Sequence, residues 1–268
     1  ATKKSLPKAP SIIWESALLI EPTTGTIIYE KDPHKKMYPA SITKIMTALL
    51  AIENCKMNDT VVYSKKNLDS LTAEDSNIQC QVGEKMSVKD CLYALMLSSA
   101  NETATALAEH IAGSEEEFVK QMNTRAKKLG MNNTNFIDCC GLTDSDDHYT
   151  TAKDVATMSR ELITKYPEIF KYSTIWMEMF THKTAKGESK FMLTNTNKLL
   201  KVNKYVKGLK TGSTSKAKYC VSTVAEKDNV ELIAVVMAAA DYKERFNISQ
   251  KLINYGFANC KVYTDNKK

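Results

Sequence analysis

The stretch SITKIMTALLAIEN, residues 41–54, constrains the fold more than any other part of the chain. Wound at about 100° per residue, Ile42, Ile45, Met46, Ala48, Leu49, Leu50, Ala51 and Ile52 fall on nearly every side of a helix. A helix without a polar face has to be surrounded, so the remainder of the chain is expected to build its core around this segment. The polar exceptions are Ser41, Thr43, Lys44 and Thr47, and Ser41 and Lys44, three positions apart, lie side by side. A lysine is rarely interior without a partner or a chemical role. Reading Ser41 as a helix cap explains the serine and leaves the lysine unexplained.

With 268 residues, 43% of them hydrophobic and 25% charged, the chain is long enough to enclose such a helix. SALLIEPTTGTIIYEKD reads as two strands about the turn Pro22-Thr23-Thr24-Gly25. Residues from about 60 to 165 read as mostly helical. Within them, SVKDCLYALMLSSANETATALAEHIAG gives two helical runs broken near SSAN. EEEFVKQMNTRAKKLG carries acidic residues first, basic residues last and then Gly130, the polarity expected of a helix. Strand character appears from Thr174 to Thr184, then in KAKYCVSTVAE and VELIAVVMAAA, and the chain closes with a helix in YKERFNISQKLINYGFAN. The expected fold class is α+β: an antiparallel sheet built from both chain ends, with flanking helices and an inserted, mainly helical subdomain over about 60–165. Residues 1–262 are expected to form one domain and 263–268 the start of a linker.

Several function classes are disfavoured. The net charge of +6 is carried by scattered lysines without interleaved aromatics, so no nucleic acid partner is expected. No apolar run approaches the roughly 20 residues of a membrane helix, and ATKKSLPKAP lacks the apolar centre of a secretory signal. The seven cysteines show no C-x-x-C pair and no accompanying histidine spacing, so no metal is expected; Cys91 and Cys220 stand in apolar settings and read as buried free thiols. His34, His110, His148 and His182 have no G-x-S-x-G elbow to serve. Glu168 in KYPEIF reads as a solvated helix-end residue, and LTDSDDHYTT, without the glycine and distal glutamate of a calcium loop, as an acidic surface loop.

Three short motifs carry the chemistry. S-x-x-K occurs at Ser5, Ser41, Ser213 and Ser215, but only the Ser41 copy lies on a buried helix. There, desolvation favours a neutral Lys44 amine, a nearby second cation lowers its pKa further, and the amine can take the proton of Ser41. Ser99-Ala100-Asn101 is the only S-x-N; its plainer reading is a helix start capped by Ser99 or Asn101. Lys210-Thr211-Gly212 is the only K-T-G and stands at the start of a β-branched strand. Its glycine permits close approach of another backbone, Lys210 and Thr211 have the chemistry to hold a carboxylate, and Lys210 can be the second cation. An ordinary glycine turn explains the same three residues equally well.

Taken in this order, the motifs resemble those of the penicillin-recognising serine enzymes. YPASITKIMTALLAIE, MLSSANETATALAEHIAG, HYTTAKDVATMSRELITKYPEI and VKGLKTGSTSKAKYCVSTVAE resemble, more narrowly, the D-alanyl-D-alanine carboxypeptidases among the low-molecular-mass penicillin-binding proteins, from about Trp14 to Val262. The resemblance implies that residues 1–262 are a catalytic domain in which Ser41 is acylated, Lys44 is its base and Ser99 passes a proton to the departing D-alanine. It implies that Asn101 holds the peptide amide, that Lys210 and Thr211 bind the terminal carboxylate beside Gly212, and that the N–H groups of Ser41 and Ser213 form the oxyanion hole. No cofactor and no metal are implied. The implied partners are peptidoglycan stem peptides ending in D-Ala-D-Ala and β-lactams. The implied location is extracytoplasmic, at the cell envelope, with membrane contact only through a C-terminal anchor absent from this chain. Ala100 stands where many relatives have glycine or aspartate, and Ser213 where some have histidine; neither side chain is required by the chemistry. A β-lactamase, or a non-catalytic domain that binds peptidoglycan or senses β-lactams, remains open at this point.

Overall fold

The computed structural model describes residues 8–12, 16–69, 71–72, 75–184 and 187–261. The residues expected to begin a linker, 263–268, lie outside them. The N-terminal hairpin forms as expected, with β1 (Ser16–Glu21) and β2 (Thr26–Lys31) joined through Gly25 at φ +75°. Ala40–Thr43 is a 3-10 turn that runs directly into α1 (Lys44–Asn54). Ser41 therefore lies ahead of the α-helix, and Thr43 stands at its N-cap without a side-chain cap bond. Every residue of α1 from Lys44 to Ala51 is buried. Fully burying Ile45, Met46 and Leu49 contributes about 1.5–3 kcal/mol each, enough together to offset the several kcal/mol lost in taking the Lys44 amine out of water.

The middle of the chain is helical, with one addition. β3 (Thr60–Val62) and β4 (Lys85–Ser87) pair as a small antiparallel ladder around α2 (Lys65–Asp69); three-residue strands are too short to display a period in sequence. α3 (Val88–Tyr93) continues into a π turn at Ala94–Ser98 and, after the break at Ser99, α4 (Asn101–Ala112) begins. α5 (Glu115–Lys128) is capped by Ser114, whose Oγ accepts from the Glu117 amide, and is followed by Gly130 at φ +76°. α6 (Ala152–Lys165) is capped in the same manner by Thr151. The segment expected as one strand is a hairpin of β5 (Met177–Thr184) and β6 (Gly187–Thr194), reached through the short α7 (Phe170–Ser173).

After α8 (Leu199–Val202) come β7 (Val206–Thr214), β8 (Lys218–Lys227), β9 (Val230–Ala239) and α9 (Glu244–Asn259). The main sheet has the order β2-β1-β9-β8-β7 and every pairing in it is antiparallel, so the two chain ends meet where β1 pairs with β9. Both faces are covered. Leu19, Leu232, Ala234 and Val236 pack under α9, while Leu18, Ile20, Ile233, Val235 and Met237 join the core that contains α1 and α6. Two buried faces explain why these strands read as unbroken apolar runs. β7 is left as the edge beside the 3-10 turn.

Candidate active site

Three segments converge on the Lys44 amine. Its Nζ lies 2.9 Å from Ser41 Oγ, 2.6 Å from Asn101 Oδ1 and 2.7 Å from the Cys140 carbonyl oxygen. Two of these partners, the amide oxygen and the carbonyl, can only accept a hydrogen bond. They take two N–H bonds, and the third direction of the nitrogen faces Ser41 Oγ, a group able to donate or to accept. Burial of Lys44 lowers its pKa, against the opposing influence of Cys140, Cys139, Asp138 and Glu102. In the neutral amine the lone pair therefore points at the serine hydroxyl, 2.9 Å away, within proton-transfer reach. Cys140 is held in turn from behind: Asp138 Oδ1 accepts from its amide at 2.9 Å, and Thr47 Oγ1 donates to the Cys139 carbonyl at 2.5 Å.

Ser99 and Asn101 owe their positions to the irregular turn between α3 and α4. The Ala94 carbonyl accepts from the amides of both Ser99 and Ala100, which widens the helix to a π turn, and Ser99 adopts left-handed backbone angles, φ +59° and ψ +31°. Its Oγ is buried and has no partner. Asn101 does not cap α4, because Ala100 is the N-cap residue and the Asn101 side chain is spent on Lys44. Beneath it, Glu102 Oε1 accepts from the Ile78 amide at 2.6 Å, tying loop 75–84 to the helix start.

The K-T-G residues lie within β7 itself, not at the start of the strand that follows. A β-carbon on Gly212 would stand 2.8 Å from Ser41 N and 3.0 Å from Ile42 N, so the glycine is what lets the sheet edge touch the 3-10 turn. Ser41 and Ser213 consequently line one cleft. Thr211 lines it and donates to Thr196 Oγ1 at 2.6 Å. Lys210 does not line it: the side chain is buried, its Nζ donates to the Thr211 carbonyl at 2.9 Å, and burial, reinforced by Lys44 and Arg245, holds its pKa well below the ordinary lysine value. In this structure the Lys210 amine is thus engaged with its own strand, and Thr211 is the K-T-G side chain that reaches the cleft.

Sequence reasoning missed two cationic residues that line the cleft, Lys198 and Arg245. Arg245, in the first turn of α9, lines the cleft; its Nε is buried with no partner among the described residues, and its Nη1 donates to the Gly212 carbonyl at 3.3 Å. It lies far from the K-T-G in the chain, and only the packing of α9 on β8 and β9 brings it near. The cleft holds about 300 Å³ and combines the hydroxyls of Ser41, Ser99, Thr196 and Thr211 with the cations of Lys198 and Arg245; among the described residues no acidic side chain lines it. Such a site suits a peptide that ends in a carboxylate.

His148 is buried behind the 3-10 turn. The Ile137 amide donates to its Nδ1 at 3.1 Å, so Nε2 carries the proton and donates to Thr43 Oγ1 at 2.9 Å. The expected acidic surface loop is in part a strap. Asp144 accepts from Thr214 Oγ1 and from the Lys216 amide, and Asp146 Oδ1 accepts from Lys216 Nζ and Tyr38 Oη, each at 2.7 Å. Glu168 lies in a 3-10 turn ahead of α7, away from the cleft. The seven cysteines are free and five are buried, as read from their apolar surroundings.

Residues 3–241 match the D-alanyl-D-alanine carboxypeptidase family. Similar proteins include the D-alanyl-D-alanine carboxypeptidase DacF of Bacillus subtilis, 41% identical over 93% of this chain and 63% of its own length. Another is the D-alanyl-D-alanine carboxypeptidase of Streptomyces sp. K15, 31% identical over 96% of this chain and 92% of its own. The chain thus spans somewhat under two thirds of the length of DacF. Among solved structures, D-alanyl-D-alanine carboxypeptidase DacD from Francisella tularensis superposes with a TM-score of 0.89 at 26% identity, covering 100% of this chain and 77% of that one. The Streptomyces K15 DD-transpeptidase superposes with a TM-score of 0.88 at 29% identity, covering 94% and 99%.

Proposed function

Because the chain belongs to the D-alanyl-D-alanine carboxypeptidase family, we propose that it is a serine-type carboxypeptidase that removes the terminal D-alanine from peptidoglycan stem peptides and is acylated by β-lactams. The observation that carries this reading is the Lys44 amine, two of whose directions are saturated by obligate acceptors and whose third meets Ser41 Oγ. Lys44 takes the Ser41 proton as Oγ attacks the carbonyl of the penultimate D-alanine. The amides of Ser41 and Ser213 stabilise the developing oxyanion, and the terminal carboxylate is held by Thr211 and Arg245. Collapse of the tetrahedral intermediate breaks the peptide bond. The proton returns through Ser99 to the departing amine, which leaves as D-alanine, and water then hydrolyses the acyl-enzyme with Lys44 again as base. Lys210 contributes a buried amine beside Lys44, and Gly212 the close approach. Residues 1–262 act as one catalytic unit, with the helices of 60–165 forming one wall of the cleft. The work is extracytoplasmic, at the cell envelope. Among the described residues no helix is long and apolar enough to cross a membrane.

The test is intact mass against time after addition of benzylpenicillin, followed by D-alanine release from a pentapeptide. The wild-type chain is expected to gain one penicilloyl group and to release D-alanine, and Ser41→Ala to do neither. Rapid drug hydrolysis without a lasting adduct would favour a β-lactamase. Neither adduct nor drug loss would leave a binding domain.

A further inference from the structure

We propose that Cys80, Glu84 and His182 form a binding site for one Zn2+ ion, which ties the loop ahead of β4 to the β5–β6 hairpin. The three residues are buried, with exposures of 9%, 3% and 5%. The Cys80 sulfur, one Glu84 carboxylate oxygen and one His182 ring nitrogen all lie within 4.8 Å of one another. A thiolate, an imidazole and a carboxylate form the mixed donor set that a borderline-soft d10 cation prefers, and the two anions neutralise a dication out of contact with water. Met86 Sδ, 3.8 Å from Cys80 Sγ, offers a fourth, softer position.

The histidine at the centre of the cluster is held firmly in place. His182 Nδ1 is only 2.6 Å from Glu84 Oε1, and Nε2 is buried with no hydrogen-bond partner among the described residues. The ring is wedged edge-on against Phe180 at 5.1 Å and Phe191 at 6.0 Å, so it cannot swing out to water. Glu84 is fixed from the other side, its Oε2 accepting from the Gln81 amide at 2.9 Å. Zinc bonds of about 2.0–2.3 Å in a tetrahedral site put donors roughly 3.3–3.8 Å apart, so donors now within 4.8 Å of one another reach that spacing with movements of up to about 1.5 Å. The ion is bound through Nδ1, between His182 and Glu84, with their present contact opened to admit it. Binding releases the Cys80 thiol proton to solvent and involves no redox change.

The other donor cluster among the described residues, Cys55, Asp59 and His110, lacks these features. His110 is exposed, and Cys55 and Asp59 are only half-buried. It serves as the internal control. The site at Cys80 bears on the cleft because Ser76, at the other end of the same loop, lines it and accepts from the Asn101 amide at 2.9 Å, while Thr196 lines it just beyond β6. An ion here would fasten those two walls together without taking part in the chemistry at Ser41.

The full chain, stripped with a chelator under reducing conditions, is titrated with Co2+ and then with Zn2+. One equivalent of Co2+ is expected to give a thiolate-to-cobalt charge-transfer band in the near ultraviolet, which Zn2+ abolishes, and Zn2+ is expected to raise the melting temperature. Cys80→Ser should lose the band and bind Zn2+ about tenfold more weakly or worse, and Cys55→Ser should keep both. Should Cys80→Ser fail to fold, His182→Gln, which retains an amide to meet Glu84, carries the same expectation. Absence of the band in the wild-type chain at equimolar Co2+, its survival in Cys80→Ser, or its loss in Cys55→Ser would each overturn the proposal.

Discussion

Gly212→Ala isolates the contact on which the oxyanion reading depends. Gly212 is absent from the positive-φ glycines, so alanine meets no conformational penalty there and the whole effect is steric. The new methyl would sit 2.8 Å from Ser41 N, 3.0 Å from Ile42 N and 3.0 Å from the Pro39 carbonyl oxygen. All three are backbone atoms, so no side-chain rotation relieves the clash. Reaching ordinary contact at about 3.5 Å requires β7 and the 3-10 turn to separate by roughly 0.5–0.7 Å. That separation displaces the Ser41 and Ser213 amides relative to each other, at a site where the loss of one oxyanion donor costs about 10²–10³ in rate, or about 2.7–4 kcal/mol. The stability cost of such overpacking is about 1–3 kcal/mol. The assay is the rate of penicilloyl adduct formation by intact mass, beside the melting temperature. Gly130→Ala, where a β-carbon meets nothing within 4 Å but φ is +76°, is the control: it should lower stability and leave acylation unchanged. Acylation of Gly212→Ala within a few-fold of wild type would refute the reasoning.

Three further outcomes follow from the same contacts. Asn101→Asp places a carboxylate 2.6 Å from Lys44 Nζ and should raise the lysine pKa, so acylation falls about tenfold or more near neutral pH and recovers as pH rises; a loss that is equal at every pH would contradict the role of Lys44 as base. His148 has a pKa lowered chiefly by burial, so below about pH 6.5 the unfolded chain binds a proton that the folded chain does not, and stability falls as pH falls from there. His148→Gln should flatten the melting temperature against pH between about 6.5 and 5, and an unchanged slope would remove this histidine from the account. Arg125→Ala breaks the half-buried fork to Glu53 and the 2.6 Å bond to Glu161 that join α5 to α1 and α6, and should cost about 1–2 kcal/mol, read as roughly 2–8 °C in melting temperature with acylation intact.

Much of this protein was written in local pattern. The all-round apolar helix from Ser41 announced its own burial, the polarity of α5 and its Gly130 gave that helix its ends, and the apolar runs on either side of Pro22–Gly25 gave the first hairpin, because each depends on neighbours a few residues apart. The three motifs were equally visible, since each is a contiguous spacing. What they do to one another was not visible. Lys44 owes its restraint to a side chain from α4 and to a carbonyl of Cys140 in an irregular stretch with no periodicity to read. Lys210 turns inward and Arg245 enters the cleft because of how β7 and α9 pack, and Cys80, Glu84 and His182 meet although His182 lies on a hairpin about a hundred residues further along the chain. Helix and strand preferences are short-range free energies, whereas the site is assembled by closing long loops against a common core; its contacts follow from the packing of that core and leave no spacing in the sequence.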